Sequence, residues 1–261
     1  MTTVAITGGG RGIGAATAAA LTRAGCRVVI GDLDIAVAER TAAEIGARAL
    51  PLDVTDRAGF TTFLDEAESR FGPLAVLVNN AGIMPLARIE DEPDETTARI
   101  LAVNLHAAIH GTREAVRRMR PRGHGHIVNL ASVVARAPGP GAATYAATKA
   151  GVLAFSAAVR AELRGSGVEV SCVLPGLVAT ELSAGIAVRG YRPIPPGAVA
   201  EAIVRVVRRP RFETYVPARM GAMLKVGSLF GDRFQRMSGA DAAVLRAIGS
   251  AERAGYERRA R

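Results

Sequence analysis

Tyr145 and Lys149 stand four residues apart in the run Tyr-Ala-Ala-Thr-Lys. On a helix, residues at i and i+4 share one face, so the phenol and the ammonium can enter one cleft. A free phenol titrates near ~10 and is a weak base at neutral pH. A neighbouring cation favours the phenolate and lowers that value. Tyr145 is therefore a candidate general acid/base for the proton of an alcohol. Ser132 lies 13 residues upstream, where its hydroxyl could hold the reacting oxygen. Its other reading is a local turn hydrogen bond. Tyr-x-x-x-Lys arises often by chance, but lysine is scarce here: Lys149 and Lys225 stand beside 31 arginines.

A second cluster is Thr7-Gly8-Gly9-Gly10-Arg11-Gly12-Ile13-Gly14. Glycines let the backbone turn tightly and approach a ligand closely. The free N–H groups of a helix that starts there would hold a pyrophosphate. Asp32 comes 18 residues after Gly14, where a carboxylate accepts from ribose hydroxyls and repels a 2′-phosphate. That favours NAD over NADP. Its alternative is to cap the following helix, for which Asp34 is also available. The histidines offer less: His106 and His110 share a helix face, and His124 and His126 flank Gly125, with no ligand set to complete a metal site. They read as surface or interface residues. Cys26 and Cys172 read as small core residues, which suits a reducing, cytoplasmic setting.

The elements that must position these groups alternate. Strand candidates are residues 4–7, 27–31, 47–52, 75–79, 126–131, 168–174 and 214–216. Runs such as Val28-Val29-Ile30 and Val76-Leu77-Val78 are apolar at successive positions, as strands buried on both faces of a parallel sheet are. Between them lie helical patterns over 14–24, 35–45, 58–70, 96–119, 145–164 and 198–207. Such alternation predicts right-handed crossovers and a doubly wound α/β sheet, parallel and seven-stranded.

The glycine turn, Asn80-Ala81-Gly82 after the fourth strand, Ser132, Tyr145 with Lys149, and Pro175-Gly176-Leu177-Val178-Ala179-Thr180 after the sixth occur in one order. That series resembles the classical short-chain dehydrogenase/reductase family over residues 3 to about 217. The resemblance implies a Rossmann fold and reversible oxidation of a secondary alcohol to a ketone. It implies catalytic roles for Asn104, Ser132, Tyr145 and Lys149, with Asn104 holding a water in a proton relay and Lys149 also holding ribose. Asn104 otherwise reads as a helix kink or a buried amide. The resemblance places Gly8, Arg11, Gly12, Ile13, Gly14, Asp32, Asp53, Val54, Asn80, Ala81, Gly82, Tyr145, Lys149, Pro175, Gly176, Val178 and Thr180 at the cofactor. Arg11 is the residue type that contacts a 2′-phosphate in NADP-dependent members. Asp53 would meet the adenine ring or cap helix 58–70. The helices 96–119 and 145–164 resemble the family's dimer contacts, implying a homodimer or homotetramer.

Met84, Val133, Val134, Pro138, Ala142 and Leu182 are candidate pocket residues, and 181–197 is a candidate lid with Ile186, Val188 and Tyr191. Their character predicts a bulky apolar alcohol or ketone, steroid-like or long-chain. Two rivals are an NADPH-dependent 3-oxoacyl-carrier-protein reductase, opposed by Asp32 and the long tail, and a nucleotide-sensing protein, opposed by the intact Tyr145 and Lys149.

Composition bounds the rest. At 49% hydrophobic, the 261 residues can build a sizeable core. No apolar run is long enough for a spanning helix, and the start of the chain does not read as a signal peptide. Residues 1–188 hold 18 Lys and Arg against 18 Asp and Glu, so the net +9 resides in 189–261, with 15 against 6. The division expected is 1–217 for the doubly wound domain and 218–261 for a basic amphipathic helical extension. No nucleic-acid partner is expected. In that extension Met220, Met223, Leu224, Val226, Leu229, Phe230, Phe234 and Met237 recur among Arg219, Lys225, Arg233 and Arg236. It reads as a helix packed on the domain or over the pocket, as a weak peripheral membrane contact, or as an oligomer contact that sets its charge against the acidic stretch 90–95 of a neighbour.

Overall fold

Residues of β-branched and apolar character at consecutive positions form seven strands: β1 (Thr3–Thr7), β2 (Arg27–Asp32), β3 (Arg48–Pro51), β4 (Leu74–Asn79), β5 (Gly125–Leu130), β6 (Val168–Pro175) and β7 (Glu213–Val216). In this computed structural model they make one parallel sheet in the order β3-β2-β1-β4-β5-β6-β7. The structure describes residues 2–188, 192–227 and 240–260. The side chains of the expected elements alternate across the sheet with period two. Val4, Ile6, Val28, Ile30, Val76 and Val78 face one layer of helices, α1 (Gly12–Arg23), α2 (Ile35–Ile45) and α7 (Pro196–Arg208). Ala5, Val29 and Leu77 face the other side, where α3 (Arg57–Phe71) and α5 (Ala107–Met119) bring Phe60, Phe63, Leu64 and Met119. Both faces are dry, which is why the strands read as unbroken apolar runs.

The chain winds outward from β1 to β3 on one side of the sheet and from β4 to β7 on the other, so its direction reverses between β1 and β4. In open α/β sheets a ligand crevice forms at that switch point, beyond the carboxyl ends of the strands. The glycine turn leaves β1 there, Asn80 leaves β4, and Ser132 follows β5.

The expected helix 96–119 is interrupted. It consists of α4 (Asp94–Leu101), a π-helical turn at Ala102–His106, and α5. Asn104 sits in that turn, bonded across the molecule through both ends of its amide. Helix α6 (Ala143–Glu162) carries Tyr145 and Lys149.

Two local readings are corrected. Asp56, not Asp53, caps α3, accepting from the Ala58 amide at 2.9 Å, while Asp53 bonds Thr55. His126 is a core residue, since all of β5 is buried; its Nε2 meets Ser171 Oγ at 2.9 Å. Burial pushes that imidazole down to about 4. His110 also packs inward, with its ring edge-on to Phe60 and its Nε2 3.2 Å from the Arg57 carbonyl.

Beyond residue 217, α8 (Arg219–Gly227) lies against β7, where Gly221 leaves no room for a Cβ beside the Tyr215 ring. Among the described residues two further helices follow, α9 (Ala240–Ala247) and α10 (Ala251–Ala260). Ala243 and Ala247 of α9 pack with Met84, Leu86, Tyr145 and Ile186. Tyr191, Leu229, Phe230, Arg233, Phe234, Arg236 and Met237 lie outside the described residues.

Candidate active site

The nucleotide end of the crevice is made of backbone. Gly12 has φ +55°, a left-handed conformation that side chains rarely adopt. A Cβ on Gly14 would lie 2.0 Å from the Gly8 carbonyl oxygen, so helix α1 can start this close to the turn only with glycine there. The N-cap residue of α1 is Arg11, whose side chain makes no cap hydrogen bond. The first amides of α1 therefore keep their donor capacity for an anion at the positive end of the helix. Thr7 and Asn80 hold the turn from behind. Asn80 Nδ2 donates to the Thr7 and Gly8 carbonyls, both at 2.9 Å, and the amides of Asn80 and Ala81 donate to Thr7 Oγ1, both at 3.1 Å. Sequence reading named Asn80 for the cofactor and gave Thr7 no role. A hydroxyl at the end of β1 was the available signal.

Asp32 ends β2 and faces the crevice. One oxygen accepts from the Gly10 amide at 2.8 Å and the other from the Asp34 amide at 3.1 Å. The helix-capping alternative goes to Asp34, which accepts from Val37 and pairs with Arg11 at 2.8 Å. The Val37 amide and the Arg11 guanidinium hold the Asp34 carboxyl below its usual range.

At the other end, Tyr145 and Lys149 are buried on one face of α6. Lys149 Nζ lies 5.7 Å from the centre of the Tyr145 ring and donates to the Leu130 carbonyl at 2.8 Å. Burial pushes the Tyr145 phenol up to about 12, with the facing Ser132 hydroxyl acting against it, and pushes Lys149 down to about 8. In the protein alone desolvation sets the direction for both groups, the phenol rising and the ammonium falling.

Ser132 Oγ is 3.5 Å from the Pro175 carbonyl and 3.4 Å from the Val134 amide, so the local turn contact is present too. Asn104 stands behind the cleft wall. Its Oδ1 accepts from the Ile83 amide and its Nδ2 donates to the Ile83 carbonyl, each at 2.8 Å. A Cβ on Gly82 would be 3.2 Å from Asn104 Oδ1 and 3.5 Å from Lys149 Nζ, so both side chains close on the same glycine. The amide thereby positions the Gly82–Ile83 backbone.

One cleft of about 2280 Å³ joins the two ends. Gly8, Arg11, Gly12, Ile13, Asp32, Asp53, Val54, Asn80, Ala81, Gly82, Pro175, Gly176, Val178 and Thr180 line it together with Ser132, Tyr145 and Lys149; Gly14 and Asn104 stand behind it. All six expected pocket residues, Met84, Val133, Val134, Pro138, Ala142 and Leu182, line its apolar end, with Ile186 and Val188 of the lid. Met220, Met223 and Leu224 of α8, Val244 of α9 and Tyr256 of α10 complete that wall. Tyr256 and its neighbours Arg253 and Glu257 escaped sequence reading. They sit in an arginine-rich helix more than 160 residues from the Met84 segment they bind.

Comparison with known proteins identifies the lineage. The family model for the short chain dehydrogenases matches residues 2–188. A 3-alpha-(or 20-beta)-hydroxysteroid dehydrogenase of Mycobacterium tuberculosis (strain ATCC 25618 / H37Rv) is 39% identical over 180 residues, 68% of this chain and 69% of that protein. The probable oxidoreductase EphD of the same strain is 41% identical over 189 residues, 70% of this chain but only 32% of that longer protein. The crystal structure of a 3-ketoacyl-(acyl-carrier-protein) reductase from Brucella melitensis complexed with NADH superposes with a TM-score of 0.77 at 30% identity, covering 82% of this chain and 96% of that one. The chain belongs to the short-chain dehydrogenase/reductase family, and it spans about a third of the length of the probable oxidoreductase EphD.

Proposed function

We propose that the enzyme interconverts a secondary alcohol and a ketone on a bulky apolar substrate, steroid-like or long-chain, with NAD as its cofactor. The observation that carries this reading is the placement of Tyr145, Ser132 and Lys149 where the polar nucleotide end of the cleft meets its apolar end. Ser132 orients the substrate oxygen. In the reducing direction the neutral Tyr145 phenol donates its proton to the carbonyl oxygen, and the Lys149 ammonium stabilises the phenolate left behind. In the oxidising direction that phenolate takes the alcohol proton. When bound, the dinucleotide supplies or takes up the hydride.

The glycine turn, Asp32 and the Pro175–Thr180 segment fit such a group, since a turn closed to any Cβ at Gly14 leaves helix amides facing the cleft. NAD is favoured over NADP because the Asp32 carboxylate is fixed by two amides and Arg11 is engaged by Asp34. The same two features weigh against an NADPH-dependent 3-oxoacyl-carrier-protein reductase, and the similar Brucella reductase was itself solved with NADH. Functionally the chain divides near 217, with the chemistry and most of the substrate wall before it and the rest of that wall after it. A homodimer or homotetramer through α4–α5 and α6, a cytoplasmic setting suited to the free thiols Cys26 and Cys172, and a weak membrane contact through exposed Met223 and Val226 of α8 complete the proposal. Among the described residues no helix is long and apolar enough to cross a membrane.

The test is a panel of secondary alcohols, aliphatic and steroid, with each cofactor. Oxidation of apolar members with NAD at a higher kcat/KM than with NADP is expected. A clear NADP preference, or turnover confined to small polar alcohols, overturns the reading.

A further inference from the structure

Helix α10 is fastened to the cleft by a buried arginine. The Arg253 side chain is fully buried. Its Nε donates to Glu257 Oε1 at 3.0 Å, one terminal nitrogen donates to the Leu182 and Ala184 carbonyls at 2.9 and 3.0 Å, and the other to the Met84 carbonyl at 2.6 Å. A buried guanidinium is tolerated only when its donors are matched in this way. The strap joins the lid segment after β6 to the segment after β4, and both segments border the substrate end. Glu257 Oε1 accepts in turn from the Leu86 amide at 3.2 Å.

What the strap holds is Tyr256. The Arg253 guanidinium lies 5.0 Å from the centre of its ring. Its oxygen accepts from the Met84 amide at 2.6 Å, and the residue lines the cleft that also contains Tyr145. A phenol has one donor proton besides its acceptor capacity. Here an acceptor position is filled by the Met84 amide, and among the described residues no acceptor takes the proton. Met84, Leu86, Leu182, Ile186 and Val244 line the same cleft as apolar neighbours of the site.

We propose that Tyr256 is a second polar contact for the substrate, donating a hydrogen bond to an acceptor oxygen carried away from the reacting carbon. This deepens the alcohol–ketone reading and rests on it. The substrate class is then an apolar secondary alcohol or ketone with a second oxygen function, bound between the phenols of Tyr145 and Tyr256. Burial raises the Tyr256 phenol well above its ordinary range, with Tyr145 adding to the rise, so it stays a donor at any physiological pH. Arg253 is a positioning residue that acts through Tyr256.

The probes are 2-decanol and its derivatives with one methoxy group at successive carbons from 5 to 9. A methoxy oxygen accepts a hydrogen bond and cannot be oxidised as the alcohol is. With NAD and the full-length wild type, at least one methoxy isomer should show kcat/KM about tenfold above 2-decanol, the scale of one well-placed hydrogen bond. In Tyr256→Phe the ratio of kcat/KM between that isomer and 2-decanol should fall to about one, mainly through KM. Tyr256→His, which keeps a ring donor, should retain part of it. Equal kcat/KM across the series in the wild type overturns the proposal. So does an advantage that survives Tyr256→Phe, or a loss that falls equally on every substrate, which would mean that Tyr256 only seats the helix. No oxidation of 2-decanol or any derivative by the wild type overturns the alcohol–ketone reading instead.

Discussion

The two ends of the cleft are built on different principles. The nucleotide end is made from backbone and short side chains at the ends of neighbouring strands: the turn between β1 and α1, Asp32 at the end of β2, and Asn80 at the end of β4. Its polar groups are matched internally, as in the two amides on Asp32 and the pair of carbonyls on Asn80 Nδ2. The substrate end is made from side chains drawn from the β4, β5 and β6 loops and from three helices past residue 217. Ser132, Tyr145 and Tyr256 set hydroxyls among its apolar side chains, and Arg253 fastens α10 to two of the segments that border it. The difference teaches where specificity can change without loss of the fold. The backbone cradle is fixed by strand ends that also carry the sheet, whereas the α10 wall can be altered with β1–β7 left as they are.

The sharpest way to break this contrast is at Tyr145, which stands between the two ends. Tyr145→Phe keeps the ring and removes the proton carrier, so kcat should fall by roughly 10²-fold or more with the NAD dissociation constant nearly unchanged. Turnover close to wild type would remove Tyr145 from the chemistry. Lys149→Arg should also be damaging, because a planar guanidinium cannot replace a compact ammonium in this buried place.

At the nucleotide end, Asp32→Ala should relax discrimination between NAD and NADP by roughly 1–3 kcal/mol, measured as the ratio of kcat/KM values. It also removes the acceptor for the Gly10 amide, so the affinity for both cofactors should drop. An unchanged ratio would show that Asp32 shapes the turn without reading the ribose.

At the substrate end, Arg253→Met should raise the substrate KM by about tenfold, since it leaves the Met84, Leu182 and Ala184 carbonyls and Glu257 without their shared donor. Cofactor affinity should be untouched. A parallel loss of NAD binding would show that the two ends are coupled through α10.

The smallest effect belongs to Arg11. Its pair with Asp34 is about half exposed on both sides, with 43% and 44% of the side-chain surfaces accessible. Exposed pairs of this kind contribute about 0–1 kcal/mol, so Arg11→Ala should shift NAD affinity by no more than about fivefold. A selective loss of NADP use would mean that Arg11 reads a 2′-phosphate, against the assignment made from Asp32.

The strands, the order of their crossovers, the glycine turn and the Tyr145–Lys149 pair were legible in the sequence because each depends on local rules. Burial on two faces imposes unbroken apolar runs, a tight approach demands glycine, and a helix repeats every 3.6 residues. What only the tertiary structure decided depends on contacts that spacing does not encode. The π turn that aims Asn104 at Ile83, the interior placement of His126 opposite Ser171, and the seat of Arg253 between Leu182 and Met84 each join residues 21 to 169 positions apart. The environment of Tyr145 is of the same kind: its sequence neighbour Lys149 argues for a lowered phenol, and the depth at which α6 is buried acts in the opposite direction.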